Sequence, residues 1–405
     1  MQLPLEGVRV LDMTIWQQGT YASAVLADLG ADVIKVEECE SGDPGRHFGI
    51  ARDLGLSGYF QAHNRGKRSI ALNLKHPRGR EVLLRLAERA DAFLTNFRIG
   101  AVARLGLDYA SLSAVNPRIV YVQASGFGRE GDERDAGSFD LLAQARGGIM
   151  SRIGEPDDPP LPSGSPIADQ VGALHAAIAV LAGILGRNAT GRGMQVDTSL
   201  LGSQISLQSF DITNYLFTGT LPARADRGGS RPFWRVYRGG DGRWFVIGML
   251  LDRAWKDVCD AVGRPELCDD ERFNTYVKRI ATNAKELSAI LDEVFVTAPA
   301  REWVDRLNAV GMFSAMVHDY ADVAADTQVQ ANAYIHEVPY EGREPVRMAG
   351  SGFAIDGEPV RIQGLAPEHG AHTEDVLLEA GYTWDDIAEL RTDGVVGPQR
   401  SEQER

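Results

Sequence analysis

Val8-Arg9-Val10-Leu11-Asp12-Met13, then Thr14-Ile15-Trp16-Gln17-Gln18-Gly19-Thr20, Tyr21 to Leu29, Gly30, and Ala31-Asp32-Val33-Ile34-Lys35-Val36-Glu37 together decide the fold. The first run is nearly all apolar and reads as a buried strand. A short loop follows, and Tyr21 to Leu29 reads as a helix stopped by Gly30. Ala31 to Glu37 reads as the next strand. This βαβ unit occupies about thirty residues and begins a parallel sheet with helices on both faces. Ser69 to Leu74, Ala92 to Phe97 and Arg118 to Ala124 read as further strands, and Arg78 to Arg89 as a helix. The fold class is therefore α/β, with a Rossmann-like sheet. Ligands in such sheets gather beyond the carboxyl ends of the strands. That rule nominates Gln17, Asn96, Phe97, Gly126 and Phe127 as facing a site.

A strand, a loop with Gly19, a helix and Glu37 invite a dinucleotide-binding reading. The loop argues against it, because bulky Trp16, Gln17 and Gln18 keep the backbone from closing on a pyrophosphate as GxGxxG does. No Walker loop or GxSxG elbow occurs, and the eight histidines form no HExxH, so no metal site is expected.

Further along, a loop rich in Pro and Gly, Gly154 to Gly164, leads into Ser165-Pro166-Ile167-Ala168-Asp169-Gln170 and a long apolar helix from Val171 to Arg187. A helix apolar on nearly every side is expected to be buried. Asp169 faces the unpaired N–H groups and positive dipole end of that helix, which should keep it ionised and fixed in direction. An Asp in such a place is most often a simple N-cap. His175, six residues on, reads as a hydrogen-bonded core histidine.

A chain of 405 residues exceeds the usual limit of one core, so two domains are expected. Met194 to Ser199 is followed by a helix expected to run to about Phe217, and Gly219 to Arg231 reads as a linker. Phe233 to Tyr237 and Trp244 to Met249 flank a hairpin signal, and Asp252 to Leu307 is mostly amphipathic helix, a smaller α+β domain. Arg347 to Ala349, Phe353 to Ile355 and a helix at Thr373 to Ala380 close the chain, followed by a polar tail from Arg391. The formal charge of −14 argues against nucleic acid as a partner. Local basic patches remain at Arg65-Gly66-Lys67-Arg68, at Lys75, and at Arg98 with Arg104. No apolar run is expected to span a bilayer, with the Asp169 helix coming nearest. The first residues show neither a basic n-region nor an apolar h-region, so secretion is not expected, and three cysteines without a CxxC fit a reduced, cytoplasmic setting.

The chain resembles the class III CoA-transferases, the family of formyl-CoA and carnitine CoA-transferases. The resemblance rests on Leu5 to Asp12, Leu29 to Glu37, Gly66 to Ile70, Asn96-Phe97-Arg98, Phe139 to Ala145, Asp169 and Thr190-Gly191-Arg192-Gly193. It implies that Asp169 is a covalent nucleophile, that acyl-CoA and a carboxylic acid are the substrates, and that no cofactor is tightly held. It implies CoA contacts at Trp16, Gln17, Leu72, Asn96, Phe97 and Arg104. It also implies a ring-shaped chain that interlocks with a second copy as a homodimer. The large domain would be 1–200 with 341–405, the small domain 224–317, and the linkers 201–223 and 318–340.

Several positions depart from the family. Residues that meet the CoA phosphates there fall on Glu38 and Gly137 here, with Arg46, Arg129 or Arg134 as substitutes. Phe48 replaces a tryptophan, only Gly228-Gly229 remains of a glycine run, and Phe313-Ser314-Ala315-Met316 replaces Cys-Gly-Pro-Val. These departures argue against a formyl-CoA/oxalate pair. A 2-methylacyl-CoA racemase shares the fold but needs a histidine where Phe139 stands, and phenylalanine moves no proton. A non-catalytic CoA-binding protein is the third reading. For transfer, Gln17 and the Gly147 and Gly148 amides are expected as oxyanion donors. Trp16, Phe48, Tyr59 and Met150 are expected as apolar walls, and succinyl-CoA as donor.

Overall fold

The structure is a computed structural model that describes residues 2–222, 224, 231–249 and 252–397. Gly228-Gly229 and most of the polar tail lie outside the described residues. The chain divides into two compact units. One comprises Met1–Met150, Pro162–Thr220 and Gln328–Arg405, and the other Ser151–Leu161 and Leu221–Thr327.

In the larger unit β1 (Arg9–Met13), α1 (Gln18–Asp28) and β2 (Asp32–Glu37) form the expected βαβ unit. β3 (Arg68–Ala71), α2 (Pro77–Ala87), β4 (Ala92–Thr95) and β5 (Val120–Ser125) follow. Then come α3 (Asp140–Arg146), α4 (Ile167–Thr190), β6 (Met194–Ser199), α5 (Leu200–Leu207) and α6 (Ser209–Thr218). The sheet order is β3-β2-β1-β4-β5-β6, and every neighbouring pair is parallel. The central strands are mainly apolar because both sheet faces are covered, with Asp12 and Lys35 as buried charged exceptions. Leu11, Ile34 and Ile70 point to a core shared with α2 and with Val376, Leu377, Ile387 and Leu390 near the C-terminus. Val10, Val33, Val120 and Val122 point to the opposite core with α1 and α4. Truncating Leu11 to Ala would cost about 2–5 kcal/mol for the lost contacts and the cavity left behind.

α4 starts four residues earlier than its apolar run and ends at Gly191, whose φ of 74° suits a glycine C-cap. By length and composition it could cross a membrane. Its inner face instead lies on the sheet, so closely that a side chain on Gly183 would come within 2.3 Å of Val120. The expectation of burial on every side is corrected, since Leu174, Ile178 and Leu185 are exposed.

The stretch expected as a linker at 201–223 contains α5 and α6. The stretch 318–340 holds short helices at Tyr320–Ala325 and Thr327–Ala331 and the strand Ile335–Tyr340. That strand pairs with Arg343–Ala349 in a separate two-stranded sheet. The C-terminal segment does return to the first unit. The His372 N–H donates to Ser69, the Ala71 N–H to Thr373 Oγ1, and Val396 bridges Leu72. Val395 and Val396 are buried, so the tail is anchored to the end of the described chain.

The smaller unit has an antiparallel sheet of β7 (Arg235–Arg238), β8 (Trp244–Met249) and β9 (Phe313–Met316), ordered β9-β8-β7. Tyr237, Phe245, Phe295 and Trp303 pack edge to face or tilted in its core. Phe313 to Met316 is thus an edge strand of this sheet.

Candidate active site

The strand order reverses between β1 and β4, and a crevice opens there beyond their carboxyl ends, as in other doubly wound sheets. It holds a cavity of about 320 Å³. Its wall comes from Ile15, Trp16 and Gln18 after β1, Asn96 to Arg98 after β4, and Ser125 and Gly126 after β5. Arg134, Gly137 and Phe139 close one side, and Asp169 enters from α4. Trp16 and Phe139 meet edge to face at 6.4 Å.

Asp169 is the third residue of α4 and does not cap it. The capping is done from outside: Asp140 Oδ1 accepts the N–H groups of Ala168 and Asp169, at 2.7 and 3.1 Å. The other Asp140 oxygen takes the Gln144 amide at 2.5 Å. Among the described residues nothing donates a hydrogen bond to the Asp169 carboxylate, which lines the cavity. Burial, and then the negative charge of Asp140, push its pKa up to about 7. The expectation that Asp169 is simply ionised is therefore corrected: near pH 7 it is divided between the two forms. Asp140 was not singled out from the sequence. Its link to Asp169 spans about thirty residues, and the one hint is that Pro166 leaves α4 without a side-chain cap of its own.

The expected contact residues divide into two groups. Trp16, Asn96 and Phe97 line the cavity. The Asn96 amide, however, is occupied at both ends by Ile15, accepting its N–H at 3.0 Å and donating to its carbonyl at 2.7 Å. Gln17 is buried and donates to Gln170 at 3.1 Å, and Gln18 takes its place in the wall. Helix α1 begins at Gln18, three residues before the expected start, which is why the neighbour was chosen. The N–H groups of Gln18 and Gly19 find no acceptor among the described residues, and no side chain caps this helix.

Leu72 is buried under Val396, and Arg104 is exposed outside the cavity wall. Arg46 is corrected more strongly. It grips Glu37 with two nitrogens at 2.6 and 2.8 Å, donates to the Pro367 carbonyl and stacks on Phe60, so each of its guanidinium nitrogens is already bonded inside the protein. The Gly147 and Gly148 amides close turns onto Ala143 and Ala145 and are not oxyanion donors. Phe48 packs on Tyr59, and neither they nor Met150 line the cavity. Tyr59 is still close enough that Asp169, after burial, raises its phenol. Glu38 accepts from Glu40 and Ser41 in a turn. At Gly137 a side chain would meet Arg98, whose Nη2 lies 2.6 Å from where a Cβ would be. His175 is hydrogen-bonded to Ser203 at 2.8 Å, as expected, but it is half-buried rather than in the core.

Residues 5–373 match the model of CoA-transferase family III. The chain belongs to this family. It is 34% identical to the formyl-CoA:oxalate CoA-transferase of Streptomyces avermitilis, over 98% of this chain and all of the relative. It is 32% identical to the mouse succinyl-CoA:glutarate CoA-transferase, over 97% of this chain and 90% of the relative. A CAIB/BAIF family protein from Brucella suis superposes with a TM-score of 0.85 at 30% identity, covering 94% of this chain and all of that one. This protein is thus an acyl-CoA:carboxylate CoA-transferase of family III, and CoA thioesters are its substrates. The cavity beyond β1 and β4 is the candidate site for that chemistry.

Proposed function

We propose that Asp169 is the nucleophile and that CoA moves between acids through two covalent states on it. A carboxylate oxygen of Asp169 attacks the thioester carbonyl, the C–S bond breaks, and a mixed anhydride and CoA thiolate result. The thiolate attacks the aspartyl carbonyl carbon, giving an aspartyl thioester and releasing the first acid as its carboxylate. The acceptor carboxylate then repeats both steps in reverse. The observation that carries this reading is the bare Asp169 carboxylate in a cavity wall, with its helix capped by Asp140 instead. An ionised carboxylate attacks without losing a proton, so no general base is required. The free N–H groups at the start of α1 and the Gln18 amide are the proposed donors to the oxyanion. Trp16, Phe97 and Phe139 keep the anhydride from water.

Relatives named for oxalate, glutarate and D-citramalate each act on a dicarboxylic acid. Arg98 and Arg134 at the cavity support a short dicarboxylic acid as one partner here, with succinyl-CoA as the donor. The test is incubation with a panel of acyl-CoAs and acids, mass spectrometry of the CoA products, and a search for CoA mass added at Asp169. Absence of any adduct together with absence of exchange would overturn the reading.

The same proposal includes an interlocked homodimer. Its support is the chain's path, with one unit inserted between segments of the other, and an uncovered apolar surface in the larger unit. That surface includes Ile178, Leu185, Phe210 and Phe217, and α6 buries none of its residues. Sizing at nanomolar concentration should give the mass of two chains, and a folded monomer would exclude it.

A further inference from the structure

The loop that carries Trp16 into the cavity is held in a conformation it would not adopt alone. Trp16 has φ of 61°, in the left-handed region that bulky side chains rarely enter. Such strain persists only where the surroundings over-determine it. Here they do. Lys35, fully buried in β2, donates Nζ to the Thr14 carbonyl at 2.9 Å and pairs with Asp43 at 2.8 Å. Asp43 in turn accepts the Trp16 N–H at 3.4 Å and the Gly45 N–H at 2.8 Å. Asn96 brackets Ile15, and the Thr20 hydroxyl reaches the Trp16 carbonyl. Neither Lys35 nor Asp43 lines the cavity.

We propose that Lys35 and Asp43 are positioning residues for CoA transfer: their buried ion pair fixes the Thr14–Trp16 backbone, so that the indole meets Phe139 and Gln18 stands in the wall with Asp169. The proposal rests on the reading of Asp169 as nucleophile and adds a requirement to it. A second buried pair supplies the control. Arg65 and Asp28 meet at 2.7 Å, equally out of water, where α1 ends, and neither lines the cavity. Both pairs hold charge inside the same unit, and only one holds the site loop.

The test compares Lys35→Met with Asp43→Asn in one chain against Arg65→Met with Asp28→Asn in another. Each pair of substitutions removes two opposite charges together and leaves none alone. kcat and KM are measured at equal folded fraction, with hydrogen exchange of the Thr14–Gln18 segment. The loop variant should lose about 30-fold or more in kcat with KM for the thioester changed by less than about threefold, as expected when reacting groups are misplaced. Exchange at Thr14–Gln18 should accelerate about tenfold or more, and only there. The control should keep its kcat within about threefold and leave that segment protected, since its pair touches no reacting group. Asp43→Asn alone is the milder variant, read in the same way if the double one does not fold. Equal losses of kcat in both chains, an unchanged kcat in the loop variant, or unaltered exchange at Thr14–Gln18 would overturn the proposal. Transfer that survives Asp169→Ala would strike the nucleophile instead, and leave the exchange result standing on its own.

Discussion

Asp12 and Asp169 are carboxylates of the same unit, and they have opposite surroundings. Asp12 is fully buried in β1 and accepts from Thr14, from Ser23 at 2.7 Å and from Lys67 at 2.8 Å. Lys67 also donates to the Thr20 carbonyl and to Asn64. Burial opposes the charge on Asp12, yet Lys67 and Lys35 more than offset it and hold the carboxyl below its usual range. Among the described residues Asp169 has no donor, and the charge that shifts it, beside burial, is another carboxylate, Asp140. A buried charge that is fully paired serves the architecture. A buried charge left without partners is destabilised in the free protein and ready to form a bond.

The largest test of that contrast is Asp169→Ala. Transfer should fall by about 10⁴-fold or more, as for loss of a covalent nucleophile, while stability at neutral pH is held or raised, since the carboxylate caps nothing and its burial opposes its charge. Steady-state transfer assays and urea unfolding together read it, and a variant that turns over normally would end the contrast. Lys67→Met should do the reverse to stability. Leaving Asp12 buried without its direct ion-pair partner costs about 3–5 kcal/mol, measurable as a fall in the urea midpoint. Unaltered stability there would mean that the pairing around Asp12 holds nothing.

The pH dependence sharpens the comparison. The folded pKa of Asp169, about 7, lies above its unfolded value, so the folded chain binds the extra proton. Its contribution favours folding below the unfolded pKa and is lost as pH rises toward 7. Asp169→Asn should therefore gain stability relative to the unaltered chain between about pH 4 and 7, with no further change above. Turnover, which needs the ionised form, should rise with pH up to an inflection near 7. Asp140→Asn keeps the oxygen that caps α4 but removes the repulsive charge, so the inflection should move to lower pH. An inflection that stays in place would assign the whole shift to burial. The smallest effect expected is at the rim: Arg98→Ala should raise KM by about two- to tenfold, as for an exposed charge contact, with kcat little changed.

What could be read from the sequence follows from the range of the interactions. β1, α1 and β2 were legible because strands buried on both faces leave mainly apolar runs, and Gly30 marks the turn from the helix to the second strand. Asp169 was legible because a helix start is local. The Asp140 cap, the diversion of Arg46 to Glu37 and the commitment of Asn96 to Ile15 were not, since each partner is set by tertiary contact. The helical run from Ser199 to about Phe217 was legible too, and α5 and α6 occupy it, although the same stretch was also expected to be a connection between domains.

The return of the C-terminal segment to β3 has a consequence for biosynthesis. The first core is finished by residues synthesised long after its strands: Val376, Leu377, Ile387 and Leu390 fill the same cluster as Leu11 and Ile34. For most of translation, the nascent chain therefore carries an apolar flank and an edge strand awaiting a cover that has not yet been made. A stop codon near residue 330 would not yield a trimmed enzyme. It would yield a sheet with one face open, which a cell would hand to its chaperones or its proteases.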